Sequence, residues 1–498
     1  MNTILNIIQD PKTTYQQKVI NLAREAENSC EGVVLTPEEK AAFDAGLISD
    51  LAEGTAPYRP RYILPDYEKF MKEGSAFLRL EPPKTLAEAV NSLLILYRHV
   101  PSVTTMPVYL GNLDILLDPF ITDEEKDLET LRLFLIHLDR TITDSFTHAN
   151  IGPRDTRAGR LILRAETALQ NAVPNLTLKY GPETPDDFAL AAVQAGLVTS
   201  KPSFANHAMY TTDFGDRYGI ASCYNGLPTG GGGFTLVRMN LRRVAEEAAS
   251  VERFMTETLP ETVRVMGAVM AKRIRFIVEE SRFFENNFLV KEGLVSRDRF
   301  IGMFGMYGLA ECVNLLLGFA GQEGRYGHST GAADMAEAVI SRLEVLAAEL
   351  EAPYSPLTGN RYLLHAQSGI SSDIQETPGA RIPYGDEPEM LDHLLFTSRV
   401  HRYFPTGISD IFTFDDTSKD NLQSVLDIIK GAMQASLRMF AFYTANSDLV
   451  RITGFLVKRS DIEALRKNEA ALHDTVALGL EAVDNQRILE RKVQRSHE

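Results

Sequence analysis

Two short stretches of the chain carry residue types that could do chemistry. The first, GIASCYNGLPTGGGGFTLVRMNL from Gly219 to Leu241, sets a lone thiol, Cys223, ahead of a turn rich in glycine, Gly226 and then Gly230 to Gly233. Glycine loses more backbone freedom on folding than any other residue, so four in a row imply that something comes close to this backbone. A phosphate cradle is one candidate, but such loops lead into a helix N-terminus, and the P-loop form adds a Lys followed by Ser or Thr. Here the glycines lead into FTLVRMNL, a strand pattern with Phe234, Leu236 and Met239, and no such Lys follows. A nucleophilic cysteine activated by a histidine is a second candidate, and His207 in PSFANHAMY is the nearest histidine in sequence. A buried small hydrophobe is the commonest fate of a free cysteine. The second stretch, VRITGFLVKRS from Val450 to Ser460, reads as a short apolar strand interrupted by Gly454. A glycine weakens a strand unless the backbone needs a special conformation or a close approach there. Taken alone, it reads as a bulge or a tight turn.

The composition limits what these residues can serve. With 51 basic and 67 acidic residues the formal net charge is −16, and no basic run offers a docking strip for a polyanion. Nucleic acid and an anionic membrane are therefore not expected as partners, whereas a small-molecule ligand is. The N-terminal MNTILNIIQDPKTTYQQK lacks the basic start and sustained apolar centre of a secretory signal. No run nears the roughly 20 apolar residues that a spanning helix needs, so a cytoplasmic location is expected. The cysteines Cys30, Cys223 and Cys312 are widely separated, which argues against a disulfide framework or a cysteine-built metal site. Cys312 sits in an apolar helical run and is expected in the core. Cys30 is expected at the surface or in helix packing.

The elements that must position Cys223 and Gly454 read as an α/β body behind a helical shell. TTYQQKVINLAREAENSC, TLAEAVNSLLILYRHV and DEEKDLETLRLFLIHLDRTITDSF place apolar residues at helical spacing. From about Pro174, short apolar runs alternate with helices: PNLTLKY before TPDDFALAAVQAG, and FTLVRMNL before RRVAEEAASVERFMTETL, with RYLLHAQ and DIFTFDD as further strands. After Gly454, Ser460 and Glu463 fit a helix-starting capping box, and Ile462, Leu465, Leu472, Val476, Leu480 and Val483 follow at helical spacing. The expected division is a mainly helical region over 1–170, a core with the cysteine loop over 171–445, and the glycine loop with a C-terminal helix over 446–498.

Taken together, the two loops resemble those of the glycyl radical enzymes, whose C-terminal fingerprint is Arg, an aliphatic residue, a variable position, Gly and an aromatic. Arg451, Ile452, Thr453, Gly454 and Phe455 fill those places. PNLTLKYGPETPDDF, SKPSFANH and GGGGFTLVRMNLRRVA resemble the segments around the family's cysteine loop, so the likeness runs from about Pro174 to the end of the chain. IGMFGMYGLAECVNLLLG, Ile301 to Gly318, resembles a core helix of the anaerobic (class III) ribonucleotide reductases. ASCYNGLPTGGGGFTL and ETPGARIPYGDEPE are most similar to the YjjI family. Pyruvate formate-lyase has two adjacent cysteines, whereas Cys223 lies between Ser222 and Tyr224. The diol and choline lyases place a general-base Glu two residues after the cysteine, where this chain has Asn225.

The resemblance implies a ten-stranded α/β barrel surrounded by helices, with the two loops meeting inside it. It implies no tightly bound cofactor and no metal, but a glycyl radical on Gly454. A separate radical-SAM activating enzyme, using S-adenosylmethionine and a 4Fe-4S cluster, would install it. Cys223 would then form the thiyl that takes hydrogen from a small-molecule substrate of unassigned identity. The chemistry could be like that of a ribonucleotide reductase or of a diol or sugar dehydratase, and a homodimer is expected. Arg451 and Phe455 belong to the radical-loop motif. Asn225, His207, Asn206 and Arg381 are the substrate-binding candidates, each with a structural role as the competing reading, a turn for Asn225 and an ion pair for Arg381. A thiol hydrolase built on Cys223, or an inactive binding protein, is the alternative of another class.

Overall fold

The computed structural model describes residues 3–50, 53, 56–102, 106–367, 373 and 375–495. In chain order its strands are β1 (Ile48–Ser49), β2 (Tyr62–Leu64), β3 (His148–Ile151), β4 (Asn175–Tyr180), β5 (Ser203–Asn206), β6 (Tyr218–Ala221) and β7 (Asn225–Pro228). They continue with β8 (Gly231–Asn240), β9 (Phe300–Tyr307), β10 (Leu363–Ala366), β11 (Asp410–Phe414), β12 (Met439–Thr444), β13 (Leu449–Arg451), β14 (Leu456–Lys458) and β15 (Val493–Gln494).

Among the described residues two large sheets form. In the five-stranded one, β8, β9 and β10 run parallel while β1 and β2 pair antiparallel along β8. In the six-stranded one, the parallel set β3, β4 and β5 meets the parallel set β12, β11 and β15 antiparallel between β5 and β12. β10 is tied to the loop that leads into β11: the Ala366 amide donates to the Gly407 carbonyl at 3.0 Å. Every residue of β3, β8, β9, β11 and β12 is buried, as expected of strands covered on both faces. The helices read from the sequence are present at Tyr15–Asn28, Leu86–Tyr97, Glu124–Thr141 and Asp186–Thr199.

Three local expectations need correction. Gly231 to Gly233 lie inside β8 instead of in a turn. A Cβ on Gly231 would overlap the backbone of Arg299, and one on Gly232, where φ is +147°, would overlap the Tyr62 carbonyl. What comes close to these glycines is therefore neighbouring backbone, not a ligand. IGMFGMYGLAECVNLLLG is a strand and then a helix: β9 ends at Tyr307, Gly308 turns the chain with φ 74°, and the helix spans Leu309–Phe319. Its glycines sit where β9 is tightest, since a Cβ on Gly305 would lie 2.7 Å from the Val237 carbonyl on β8.

The third correction concerns the tail, which forms two helices, Arg459–Arg466 and Thr475–Gln486. No capping box forms at Ser460, because its amide and hydroxyl both bond to the Asp448 carboxylate at 2.9 Å and Glu463 pairs with Arg466. Ile462, Leu465 and Val476 are buried as the spacing suggests, but Leu472 is 40% exposed.

Candidate active site

Cys223 sits at the tip of the β6–β7 hairpin, in the turn closed by the Ala221–Asn225 pair. Ser222, with φ 57°, takes the left-handed conformation that turns the chain, and its amide bonds to the Val108 carbonyl at 2.9 Å. Its carbonyl accepts from His148 Nδ1 at 2.8 Å, so that nitrogen carries the imidazole proton. His148 Nε2, 2.7 Å from Thr177 Oγ1, then accepts the threonine hydroxyl proton. Burial holds this histidine neutral, with its pKa pushed down to about 3. Asn225 Nδ2 donates to the Ala221 carbonyl at 3.1 Å and closes the turn. Tyr224 stacks on His365 and donates its hydroxyl to the Ala366 carbonyl at 2.9 Å.

Burial pushes the Cys223 thiol up to about 11, and the nearby Asp144 carboxylate adds to the rise. The group is a neutral S–H at ordinary pH. A nucleophilic cysteine needs the opposite, a depressed pKa or a paired base.

The second loop comes from the other end of the chain. β13 and β14 form an antiparallel hairpin with Arg451 opposite Leu456, so VRITGFLVKRS is two strands with Gly454 in the connecting turn. A Cβ on Gly454 would overlap the Cys223 side chain, lying 2.6 Å from Cys223 Cα and 2.8 Å from the Tyr224 ring. Only a residue without a side chain can occupy that place. The Gly454 amide lies near the Cys223 thiol and opposes part of the rise in its pKa, and the Gly454 carbonyl accepts from Asn175 Nδ2.

Around this contact the loop is fixed by buried arginines. Arg451 gives Nε and Nη2 to the Ser200 carbonyl and Nη2 to Asn175 Oδ1 at 3.4 Å. Arg491, from the last segment of the chain, donates Nη1 to the Arg451 carbonyl at 2.6 Å and Nη2 to the Ile452 carbonyl at 2.5 Å. Phe455 packs on Phe146 with ring centroids 4.7 Å apart.

A cavity of about 600 Å³ opens onto the pair. Cys223, Asn225, Asp144, His365, Gln367 and Thr453 line it, and Phe455 and His473 form further walls. Its outer end runs between the N-terminal helix that contains Gln17 and Arg24 and the C-terminal helix that contains Leu478 and Glu481.

The structure thus brings Cys223, Gly454, Arg451, Phe455 and Asn225 together. It places three other candidates elsewhere. Asn206 caps the helix His207–Phe214 and donates to the carbonyls of Met433 and Leu437 at 3.1 and 3.2 Å. His207 Nδ1 meets the Tyr218 hydroxyl at 2.7 Å, and its Nε2 lies 3.4 Å from Glu183, away from the cavity. Arg381 lies behind Tyr224, with its guanidinium carbon 5.7 Å from the ring centroid and Nε on the Ser409 carbonyl at 2.9 Å. Cys312 is fully buried and Cys30 exposed.

Sequence reasoning missed Asp144, His365, Gln367, Thr453, His473 and Arg491. His365 and Gln367 had a legible signal, since alternation along RYLLHAQ puts them on one face of a strand. Asp144, His473 and Arg491 reach the site from segments distant in sequence and carry no local pattern. Among the described residues no group of three or more His, Cys, Asp or Glu could hold a metal ion, and no helix is long and apolar enough to cross a membrane.

Comparison with known proteins agrees with this geometry. The family described as "Glycyl radical enzyme YjjI-like" matches residues 13–494. The protein YjjI of Escherichia coli is 47% identical over 491 residues, covering 98% of this chain and 94% of its own. The anaerobic ribonucleotide reductase of Thermotoga maritima, in complex with dATP and CTP, superposes with a TM-score of 0.68 at 12% identity, over 93% of each chain. The glycerol-bound B12-independent glycerol dehydratase of Clostridium butyricum gives 0.68 at 11% identity, over 99% of this chain and 88% of that one. At such identities the likeness is one of fold: this chain has the α/β fold of the glycyl radical enzymes.

Proposed function

The chain belongs to the YjjI-like glycyl radical enzyme family, and on that premise we propose that it stores a radical on Gly454 and spends it through Cys223 on a small-molecule substrate. A Cα radical at glycine is delocalised between the flanking amide nitrogen and carbonyl, and no side chain opposes the planarity this needs. A separate radical-SAM activase removes one hydrogen atom from Gly454 Cα, with S-adenosylmethionine and an iron–sulfur cluster that belong to that partner. Gly454 Cα then takes the hydrogen atom of the Cys223 thiol, and the Cys223 thiyl takes one from a substrate C–H bond. After rearrangement the product radical recovers hydrogen from Cys223, and Cys223 recovers it from Gly454, so the radical is conserved over a cycle.

One observation carries this reading: the missing side chain of Gly454 is where Cys223 packs. The thiol chemistry agrees, because hydrogen-atom transfer uses the neutral S–H that burial maintains. A thiol hydrolase would have no need for Gly454 and would need a thiolate, which the burial of Cys223 disfavours. His148 is committed to Ser222 and Thr177, and His207 to Tyr218. Arg451, Asn175 and Arg491 hold the radical loop, while Asp144 is a carboxylate of the cavity wall whose charge reaches the thiol.

Anaerobic reaction with the activase and S-adenosylmethionine should give an electron paramagnetic resonance doublet, and exposure to air should cut the chain at residue 454. Both signals should vanish in Gly454→Ala and persist in Cys223→Ala. Absence of both from the wild-type protein would refute the proposal.

A further inference from the structure

We infer that Tyr62 is a catalytic residue, whose phenol hydroxyl donates a hydrogen bond to a substrate oxygen beside the carbon from which Cys223 takes hydrogen. The substrate is accordingly one that carries an acceptor oxygen next to that carbon. The inference rests on the reading of Gly454 and Cys223 above for the word substrate, but not for the contact itself.

The first ground is how Tyr62 is seated. It lies on β2 opposite Gly233 of β8. That pairing needs a bare strand, since a Cβ on Gly232 would overlap the Tyr62 carbonyl and one on Gly233 would lie 3.3 Å from the Tyr62 ring. Glycines weaken a strand, so a run of them in the core marks what they make room for, here the backbone and ring of Tyr62. Tyr62 is buried and lines the same cavity as Cys223. Burial raises the Tyr62 pKa, the Arg61 guanidinium opposes the rise, and the charge of a Cys223 thiolate adds to it. The phenol is therefore within electrostatic reach of the thiol and stays an O–H donor.

The second ground is that this hydroxyl is unspent. Tyr67, Tyr97, Tyr224 and Tyr326 donate theirs to backbone carbonyls at 2.7, 2.7, 2.9 and 2.6 Å. Tyr210, Tyr362 and Tyr384 have hydroxyls without a partner, but these are sealed in the protein. The Tyr62 hydroxyl has no acceptor among the described residues and is not among the sealed atoms, so it opens into the cavity that the ring lines. Arg61, whose guanidinium carbon lies 4.9 Å from the ring centroid, has only donors and cannot take the phenol proton. Arg381 is a cation whose field reaches Cys223, but its terminal nitrogens are enclosed behind Tyr224 and offer the cavity no donor. An oxygen on the substrate supplies the acceptor that Tyr62 lacks, and the bond strengthens as negative charge builds on that oxygen during reaction.

The test uses the full-length protein, anaerobic and without activation, so a failed radical cannot be mistaken for a failed contact. Cys223 is alkylated with iodoacetamide, which sets a carbonyl oxygen beside the carbon that meets the sulfur, and with iodoethane, which has no oxygen. Both rates are read by peptide mass, and exposed Cys30 is the internal reference. In wild type the ratio of the iodoacetamide rate to the iodoethane rate should be about three- to tenfold higher at Cys223 than at Cys30, the size of one hydrogen bond. Tyr62→Phe, which removes only the hydroxyl, should bring the Cys223 ratio down to that of Cys30, and Tyr62→Met should do the same; each variant is first matched to wild type by its melting transition. A change in thiolate population or in access to the cavity alters both rates alike and leaves the ratio untouched, which separates the contact from a merely structural role. The inference is overturned if Cys223 shows no preference over Cys30 in wild type, a comparison that needs no variant, or if the preference survives in Tyr62→Phe or Tyr62→Met.

Discussion

Gly454 and Cys223 are in backbone-to-side-chain contact, so close that a methyl group on the glycine would occupy the space of the cysteine Cβ. The two residues come from hairpins at opposite ends of the core, β6–β7 and β13–β14, and each hairpin is tied down separately. The contact follows from how the loops are held, and it has consequences in the protein before any radical is made.

Gly454→Ala should destabilise the fold by about 1–3 kcal/mol, the usual cost of forcing an extra carbon into a packed site. Rotamer changes cannot relieve the overlap, because it falls on Cys223 Cα and Cβ. Cys223→Gly removes the obstructing Cβ, so the double variant should lose less stability than the two single losses together. Urea midpoints for the four proteins give the coupling directly. Strict additivity would mean that the two residues do not touch.

The Cys223 thiol should alkylate with a pH profile that climbs toward about 11, because burial first and the Asp144 charge in addition disfavour the thiolate. Asp144→Asn should shift the profile to lower pH. The sign for stability follows. A thiol raised above its unfolded value of about 8.5 stabilises the protein below that pH, and the contribution fades as pH rises through about 11. A profile that does not move in Asp144→Asn would put the carboxylate out of range of the sulfur.

The legible part of the site was the part encoded locally. Cys223, Asn225, Arg451, Gly454 and Phe455 stand in two continuous motifs, and the strand and helix alternation around them is a matter of apolar period. The glycine run was legible as a close approach, but not as an approach by Tyr62 and Arg299, because the partner of a strand is not written in the strand itself. Asn206 and His207 looked like a polar pair for a ligand. A helix cap and a tyrosine hydroxyl used them up instead. Arg491 could not be found by pattern, since its role exists only once β15 has docked beside β11 and carried it back to the radical loop.

Arg491→Ala should loosen that loop. The carbonyls of Arg451 and Ile452 would lose their donors while remaining buried, at about 1–3 kcal/mol for each group left unmatched. Limited proteolysis should then cut near residues 452–455 faster than in wild type, and hydrogen exchange at the Gly454 amide should speed up. Arg491→Lys can reach one carbonyl but not both, because it lacks the planar fork, and should fall between the two. Unchanged exchange at Gly454 in Arg491→Ala would remove Arg491 from the account of how the loop is held.

Acid should weaken the site before it weakens the carboxylate network. Burial lowers His148 and His365 to about 3 and His473 to about 4, against roughly 6.5 in an unfolded chain. A group whose folded pKa is depressed contributes its stability above the unfolded value and loses it as pH falls toward the folded one. Between pH about 6.5 and about 4.5 the unfolded chain therefore binds protons at these three positions that the folded chain refuses, and stability falls. Asp114, raised by burial to about 7, works in the opposite sense over the same window and offsets part of the fall. His148→Gln removes one of the three protons while leaving the amide able to donate to the Ser222 carbonyl. Its urea stability should decline less steeply with acid than wild type, with the slopes differing by up to one proton. Parallel curves for the two proteins would show that His148 protonates as readily when folded as when unfolded, and that the hydrogen bonds fixing the cysteine turn are not what acid breaks.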